Sequence, residues 1–167
     1  MSPPDRKNDE PAEIRPVFRE DVPLLLGLIR ELAAYEKLAH EVRADEAILG
    51  ESLFGSRPAA EALLVFHAGA PAGYCLFFHN FSTFLGRPGL YVEDLYIKPR
   101  FRRRGLGRAV FRRLAGLARE RGCARLEFSV LDWNEPALRF YENLGAAAQG
   151  QWKLYRFLEE DFGRLAG

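Results

Sequence analysis

Between Lys98 and Arg113 the sequence carries eight lysines or arginines and no acid. Gly105 and Gly107 interrupt that run where a helical pattern begins. A helix start presents unpaired N–H groups and a partial positive charge, and glycine lets a backbone close on an anion. The chemistry this favours is the holding of phosphate. Just upstream, Leu90-Tyr-Val-Glu-Asp-Leu-Tyr-Ile97 sets two carboxylates, Glu93 and Asp94, in an apolar stretch. Glu93, beside the cradle, is a candidate proton acceptor. A further set, Glu31, Tyr35 and Glu36, falls near the end of an earlier helix. Acid there opposes the helix dipole, which makes these residues candidates for meeting a cationic ligand.

The elements around these residues follow from periodicity and punctuation. Period-two alternation places Tyr91, Glu93, Leu95 and Ile97 on one face of a strand and Leu90, Val92, Asp94 and Tyr96 on the other. Pro99 ends the strand, having no N–H for a ladder. From Gly105 to Arg121, Leu106, Ala109, Val110, Leu114, Leu117 and Ala118 recur at helical spacing, and Gly122 is placed to stop the helix. Arg125–Leu131 is β-rich, which predicts a parallel strand–helix–strand crossover, right-handed by rule.

The remaining chain predicts a first strand over Glu13–Val17 and a helix opening at Asp21 with Pro23 in its first turn. A second helix is expected over Asp45–Phe54. Strands Ala62–Ala68 and Ala72–Asn80 flank a turn at Gly69-Ala70-Pro71, and Phe81–Gly89 reads as a loop. Asn134 can cap a helix that carries Phe140 and Tyr141 and stops at Gly145. Trp152–Phe157 reads as a last strand before a short terminal helix. Residues 1–11 read as a flexible lead-in and 12–167 as one domain.

Composition excludes little. Lysine and arginine number 24 against 23 acids, a net charge of +1, so the basic cluster is a local feature. Two cysteines are too few for a disulfide framework, and the histidines and cysteines show no metal-ligand spacing. No apolar run approaches the roughly 20 residues of a membrane helix, and residues 1–13 lack a secretory pattern. A cytoplasmic protein without metal, membrane or nucleic-acid partner is the expectation. A dinucleotide site would need a third glycine and a tight strand-to-glycine turn. Here Val110 stands in the third place and seven residues intervene, so Glu127, spaced like a ribose-binding acid, lacks its context. A nucleic-acid module using the 98–113 cluster would need aromatic stacking, for which Phe101 and Phe111 are the interleaved residues.

Arg102-Arg103-Arg104-Gly105-Leu106-Gly107 resembles the Arg/Gln-x-x-Gly-x-Gly motif of the GNAT acetyltransferases. Asn134 followed by Phe140-Tyr141 and Gly145 is similar to that family's later Asn…Tyr helix. Arg30-Glu-Leu-Ala-Ala-Tyr-Glu36, Tyr91-Val-Glu-Asp94 and Val130-Leu-Asp-Trp-Asn134 resemble segments of its diamine (spermidine/spermine) and thialysine branch, over roughly residues 14–158. The sequence departs at Arg103, where relatives often have glycine, and at 146–151, which look shortened and lack the acids of polyamine enzymes.

The resemblance implies a mixed α/β fold with a largely antiparallel sheet flanked by helices and one parallel crossover at the cofactor site. It implies transfer of an acetyl group from acetyl-CoA to the primary amine of a small molecule, a polyamine, diamine or thialysine-like amino acid, by a homodimer. Protein-lysine or amino-acid acetylation is the alternative. The pyrophosphate would sit on backbone N–H groups of Arg103–Arg108, with Arg102, Arg103, Arg104, Gly105, Leu106, Gly107 and Arg108 as the cradle. Leu95, Tyr96 and Ile97 would pair with the pantetheine, and Asn134 and Ala137 would also meet the cofactor. An alkyl amine with a pKa of roughly 10 arrives protonated, so Glu93 would take its proton, through water. Tyr141 would protonate the departing thiolate. Tyr35, Glu36, Glu93 and Asp94 would bind the acceptor, with Glu31 and Asp132 as further acids at the entrance.

Overall fold

The computed structural model describes residues 12–167, so the lead-in expected over 1–11 lies outside the described residues. Five strands form one sheet in the order β1-β2-β3-β4-β5. They are β1 (Glu13–Pro16), β2 (Glu61–His67), β3 (Ala70–Ser82), β4 (Arg87–Ile97) and β5 (Leu126–Phe128). Each neighbouring pair is antiparallel except β4 and β5, which are parallel. The helices are α1 (Val22–Tyr35), α2 (Glu46–Phe54), α3 (Leu106–Glu120), α4 (Glu135–Asn143) and α5 (Glu159–Ala166). This is the mixed α/β class, with the crossover β4–α3–β5 where the sequence places it.

Alternation along β2 shows why the sheet has two apolar faces. Ala62 and Leu64 join a cluster with Val22, Leu25 and Leu28 of α1 and Leu49 and Leu53 of α2. Leu63 and Val65 join another with Leu106, Val110 and Leu114 of α3. Burying side chains of this size contributes roughly 1.5–3 kcal/mol each, which anchors α1 and α3 to opposite faces of the sheet.

Local chemistry sets the element ends. Asp45 caps α2, its carboxylate accepting the Ile48 N–H at 2.8 Å. Asp21 accepts the Phe18 N–H at 2.8 Å and pairs with Arg15 at 2.6 Å, bracing the entry to α1. The β2–β3 turn falls one residue earlier than predicted, at Ala68 and Gly69, both left-handed with φ of 51° and 71°. That is the geometry of a tight hairpin turn, and it leaves Ala70 and Pro71 in the strand. The stretch read as a loop over 81–89 is mostly strand, because β3 runs to Ser82 and β4 starts at Arg87.

A register shift between Leu76 and Phe77 breaks the β3–β4 ladder. Phe77 pairs with Val92 and Leu76 with Asp94, so Glu93 is the extra residue of a β-bulge. The bulge switches the parity of β4. Before it, Leu90 and Val92 face the α3 cluster. After it, Leu95 and Ile97 pack on that cluster while Tyr96 joins the α1 side. The uniform alternation expected from sequence, with Asp94 and Tyr96 on the face of Leu90 and Val92, is therefore corrected.

The described residues divide into two compact units, one ending at Ser129 and one from Val130 to Gly167. In the second, the Asn134 side chain accepts the Ala137 N–H at the start of α4, and Gly145 follows that helix with φ of 90°. The strand predicted over Trp152–Phe157 is not formed, and Trp152, Leu154, Tyr155 and Phe157 are exposed. The segment interleaves apolar and basic residues, three of them aromatic, as a strand would, but has no ladder partner among the described residues.

A second register shift, between Val65 and Phe66 of β2, falls opposite Gly73. A Cβ at Gly73 would lie 2.0 Å from the Tyr96 carbonyl oxygen, so β3 and β4 can approach there only without a side chain. Gly73→Ala is expected to cost about 1–3 kcal/mol in chemical denaturation through overpacking, with the loss visible as a lowered midpoint at unchanged slope.

Candidate active site

The bulge places two adjacent carboxylates in one place. Glu93 and Asp94 both line an open cleft of about 340 Å³, with Glu36 from the C-terminal end of α1 and Glu41 from the turn after it. Ile29, Leu32, Ala33, Leu38 and Val42 form its apolar walls, and Tyr74 of β3 completes the lining. The size suits a small ligand. Apolar walls with acids fit an alkyl chain that carries positive charge.

The carboxylates are not alike. Glu93 is exposed, whereas Asp94 and Glu36 are half-buried. Burial pushes the Asp94 carboxyl above the usual carboxylate range, and the neighbouring Glu93 charge adds to this. The Tyr74 hydroxyl donates to Asp94 Oδ2 at 2.9 Å and pulls the other way. Burial, with the Asp94 charge second, raises Glu36 as well. Burial and the same charge raise the Tyr74 phenol, which stays protonated as a donor.

Of the acceptor-side residues predicted from sequence, Glu36, Glu93 and Asp94 meet in the cleft. Tyr35 and Glu31 do not line it. The Tyr35 ring lies 4.5 Å below the Arg102 guanidinium. Glu31 pairs with Lys98 at 2.9 Å and accepts the Tyr96 hydroxyl at 3.3 Å. Asp132 belongs to the second unit. Tyr74 was missed, although a tyrosine in an apolar strand signals a buried hydroxyl in need of a partner.

The basic turn leads straight into the start of α3. Gly105 is the N-cap of α3, left-handed at φ 75°, with no side-chain cap on the helix and no acid in its first turn. A Cβ on Gly105 would meet nothing within 4 Å. Arg103, Arg104 and Arg108 are exposed beside it. These groups fit a diphosphate. Arg103 has φ 65°, a glycine-like conformation that costs an L-residue roughly 1–2 kcal/mol. Arg102 instead turns inward, its Nε donating to the Ile97 carbonyl at 2.9 Å.

The parallel β4–β5 ladder covers only Leu90–Val92 against Leu126–Phe128. The ladder ends at Val92, so Leu95, Tyr96 and Ile97 follow its last pair. The Tyr96 side chain belongs to the α1 core, leaving its backbone as the group that can bind there.

In the second unit, Asn134 is buried and caps α4, Ala137 follows in the first turn, and Tyr141 lies in the last turn with Phe140 edge-on at 5.1 Å. Other motif readings lose their residues to packing. Phe101 meets His67 edge-on at 5.9 Å and Phe111 meets Phe128 at 5.5 Å, so both rings are engaged in the fold. Glu127 is tied to Arg125 at 2.8 Å and Asn80 at 2.7 Å.

A family model described as "Acetyltransferase (GNAT) family" matches residues 27–146. A thialysine N-epsilon-acetyltransferase of Bos taurus is 38% identical, over 92% of this chain and 96% of the relative. An L-ornithine N5-acetyltransferase of Arabidopsis thaliana is 30% identical over 87% and 83%. Among solved structures, an integron cassette protein of V. cholerae shares the fold with a TM-score of 0.77 at 23% identity, over 93% of this chain and 97% of that one.

The raised Asp94 carboxyl has a consequence for stability. Its folded value exceeds the unfolded value of roughly 3.9, so its charge opposes folding once pH rises through that range. Asp94→Asn is expected to raise the melting temperature at pH 8. The gain should shrink as pH falls below the unfolded value of roughly 3.9, where Asp94 becomes protonated folded and unfolded alike.

Proposed function

The chain belongs to the GNAT acetyltransferase family, and from that premise we propose that it moves an acetyl group from acetyl-CoA to the primary amine of a small molecule. The observation that carries this is the bulge that sets Glu93 and Asp94 with Glu36 in one acid-lined cleft. Polyamines, diamines and thialysine-like amino acids are the acceptor classes. The last class, and with it the alternative of amino-acid acetylation, is supported by the names of the thialysine and ornithine relatives.

Acetyl-CoA supplies an activated acyl group and leaves as a thiol. The uncapped start of α3, with Gly105, Leu106, Gly107 and Arg108, and the exposed Arg103 and Arg104 would hold its diphosphate. The backbone of Leu95–Ile97, past the last β4–β5 pair, would hold the pantetheine. Asn134 and Ala137 would complete the cofactor contacts, and Arg102 would support the cradle from behind through Ile97.

The acceptor arrives as an ammonium and must lose a proton before it attacks. Glu93 takes it, through water. Tyr141 protonates the leaving sulfur, being the weaker acid at roughly 10 against 8.5 for a thiol, but held to the task. Glu36 and Asp94 draw the cation in, while the arginines draw the anionic donor to the cradle, so charge separates the two substrates.

The domain spans 12–167, and the family match across both units supports it. A homodimer is supported by the large exposed apolar side chains Trp152, Leu154, Tyr155 and Phe157. A cytoplasmic location is supported by the unpaired Cys75 and Cys123. Among the described residues no helix is long and apolar enough to cross a membrane.

Mass spectrometry of a panel of spermidine, thialysine, lysine and a lysine peptide with acetyl-CoA tests the reaction: a mass gain of one acetyl on a small amine is expected, and gain on the peptide alone contradicts it. Tyr141→Phe should lower kcat by about 10²–10⁴-fold with CoA affinity nearly unchanged. Glu93→Gln should lower kcat similarly and alter the pH profile. Full activity of either variant removes that residue from its role.

A further inference from the structure

Glu31 and Tyr35, acceptor-side residues by resemblance, lie outside the cleft and have other partners. Glu31 accepts Lys98 Nζ at 2.9 Å and the Tyr96 hydroxyl at 3.3 Å. The Arg102 guanidinium carbon lies 4.5 Å from the centre of the Tyr35 ring, within cation–π range. Arg102 Nε also donates to the Ile97 carbonyl at 2.9 Å, so one side chain spans the end of α1 and the end of β4. The Lys98 side chain is only 19% exposed, which shields its ion pair from the screening that weakens surface pairs. The backbone holds Lys98 as well, its N–H donating to the Ala72 carbonyl of β3 at 2.8 Å.

Helix geometry gives these contacts a function. Ile29, Leu32, Ala33 and Glu36 recur at helical spacing and line the cleft. Glu31 and Tyr35, four apart, form the neighbouring row and meet the segment Tyr96–Arg102. That segment runs directly into Arg103 and the start of α3. One face of α1 therefore walls the cleft, while the next is fastened to the chain that enters the basic turn.

Resting on the acetyl-transfer reading above, we propose that Glu31 and Tyr35 are positioning residues that make donor and acceptor bind cooperatively. A diphosphate on the start of α3 fixes the turn that carries Lys98 and Arg102. Those two cations then fix the last turns of α1 through Glu31 and Tyr35. Less freedom remains to be lost when an amine enters beside Leu32 and Glu36, so the amine binds more tightly. Linkage makes the effect mutual, the amine tightening the donor by the same factor. The coupling is independent of which amine enters.

The test uses CoA, which carries no acyl group to transfer, with hydrogen exchange and calorimetry. In wild type, CoA alone should slow exchange over 29–36 as well as over 103–109. In the double variant Glu31→Ala, Tyr35→Leu it should still slow 103–109 and leave 29–36 unchanged. Calorimetry then uses whichever of spermidine, thialysine and lysine the protein acetylates. Saturating CoA should lower the Kd of that amine about five- to tenfold in wild type and less than about twofold in the double variant. The Kd of each ligand alone should stay within about threefold of wild type. Tyr35→Phe keeps a ring under Arg102 and should keep the coupling. A brace without a part in binding would lower the melting temperature of the double variant and leave the coupling intact. Should the double variant fail to fold, the wild-type exchange and the wild-type factor still decide. Protection of 103–109 without 29–36, or a wild-type factor near one, overturns the inference and leaves acetyl transfer standing. So does equal coupling in wild type and the double variant, or a Tyr35→Phe variant as uncoupled as the double one. Transfer to none of the three amines removes both.

Discussion

One extra residue in β4 is the constraint on which the site depends. A regular strand would point Glu93 and Asp94 to opposite faces of the sheet. The bulge at Glu93 brings both to the α1 side and reverses the alternation from Leu95 onward. It comes directly after Val92, the last β4 residue paired with β5. The same few residues therefore shape an acidic cleft on one side of the strand and end the ladder on its edge.

The acids gathered there work against stability. Burial raises Asp94 and Glu36, so each holds its charge at a cost that the apolar clusters around α1 and α3 must offset. The contacts at the rim act differently. Glu31 ties α1 to Lys98 and Tyr96, and Arg102 lies over Tyr35 while bonding Ile97. These connect the helix beside the cleft to the segment that leads into the cradle. Residues that resemble ligand-binding positions in sequence are thus spent on holding the two halves of this unit together.

Much of the fold is legible in the sequence because it rests on local signals. The apolar stripe of α3, the capping residues Asp45 and Asn134, and Gly122 mark helices where the structure has them. The basic, glycine-containing start of α3 is legible for the same reason, since its signals sit within one turn of a helix start. The bulge is not, since it arises from pairing with β3 and leaves no mark in the period of β4. With it went the shared face of Glu93 and Asp94, and the part of Tyr74, which depends on a neighbour 20 residues away. Tyr35 and Glu31 are met by partners that no local signal announces, Arg102 and Lys98 from beyond β4. The 152–157 segment shows the limit of propensity, for a strand needs a neighbour as well as a pattern.

Hydrogen exchange with and without CoA reads backbone amides one segment at a time and so locates where the acyl donor sits. CoA is expected to slow exchange in the peptides covering 93–97 and 103–109, with α2 and the β2–β3 turn unchanged. Slowing elsewhere, with those two segments unaffected, would contradict the claim that the opened edge of β4 and the start of α3 receive the acyl donor.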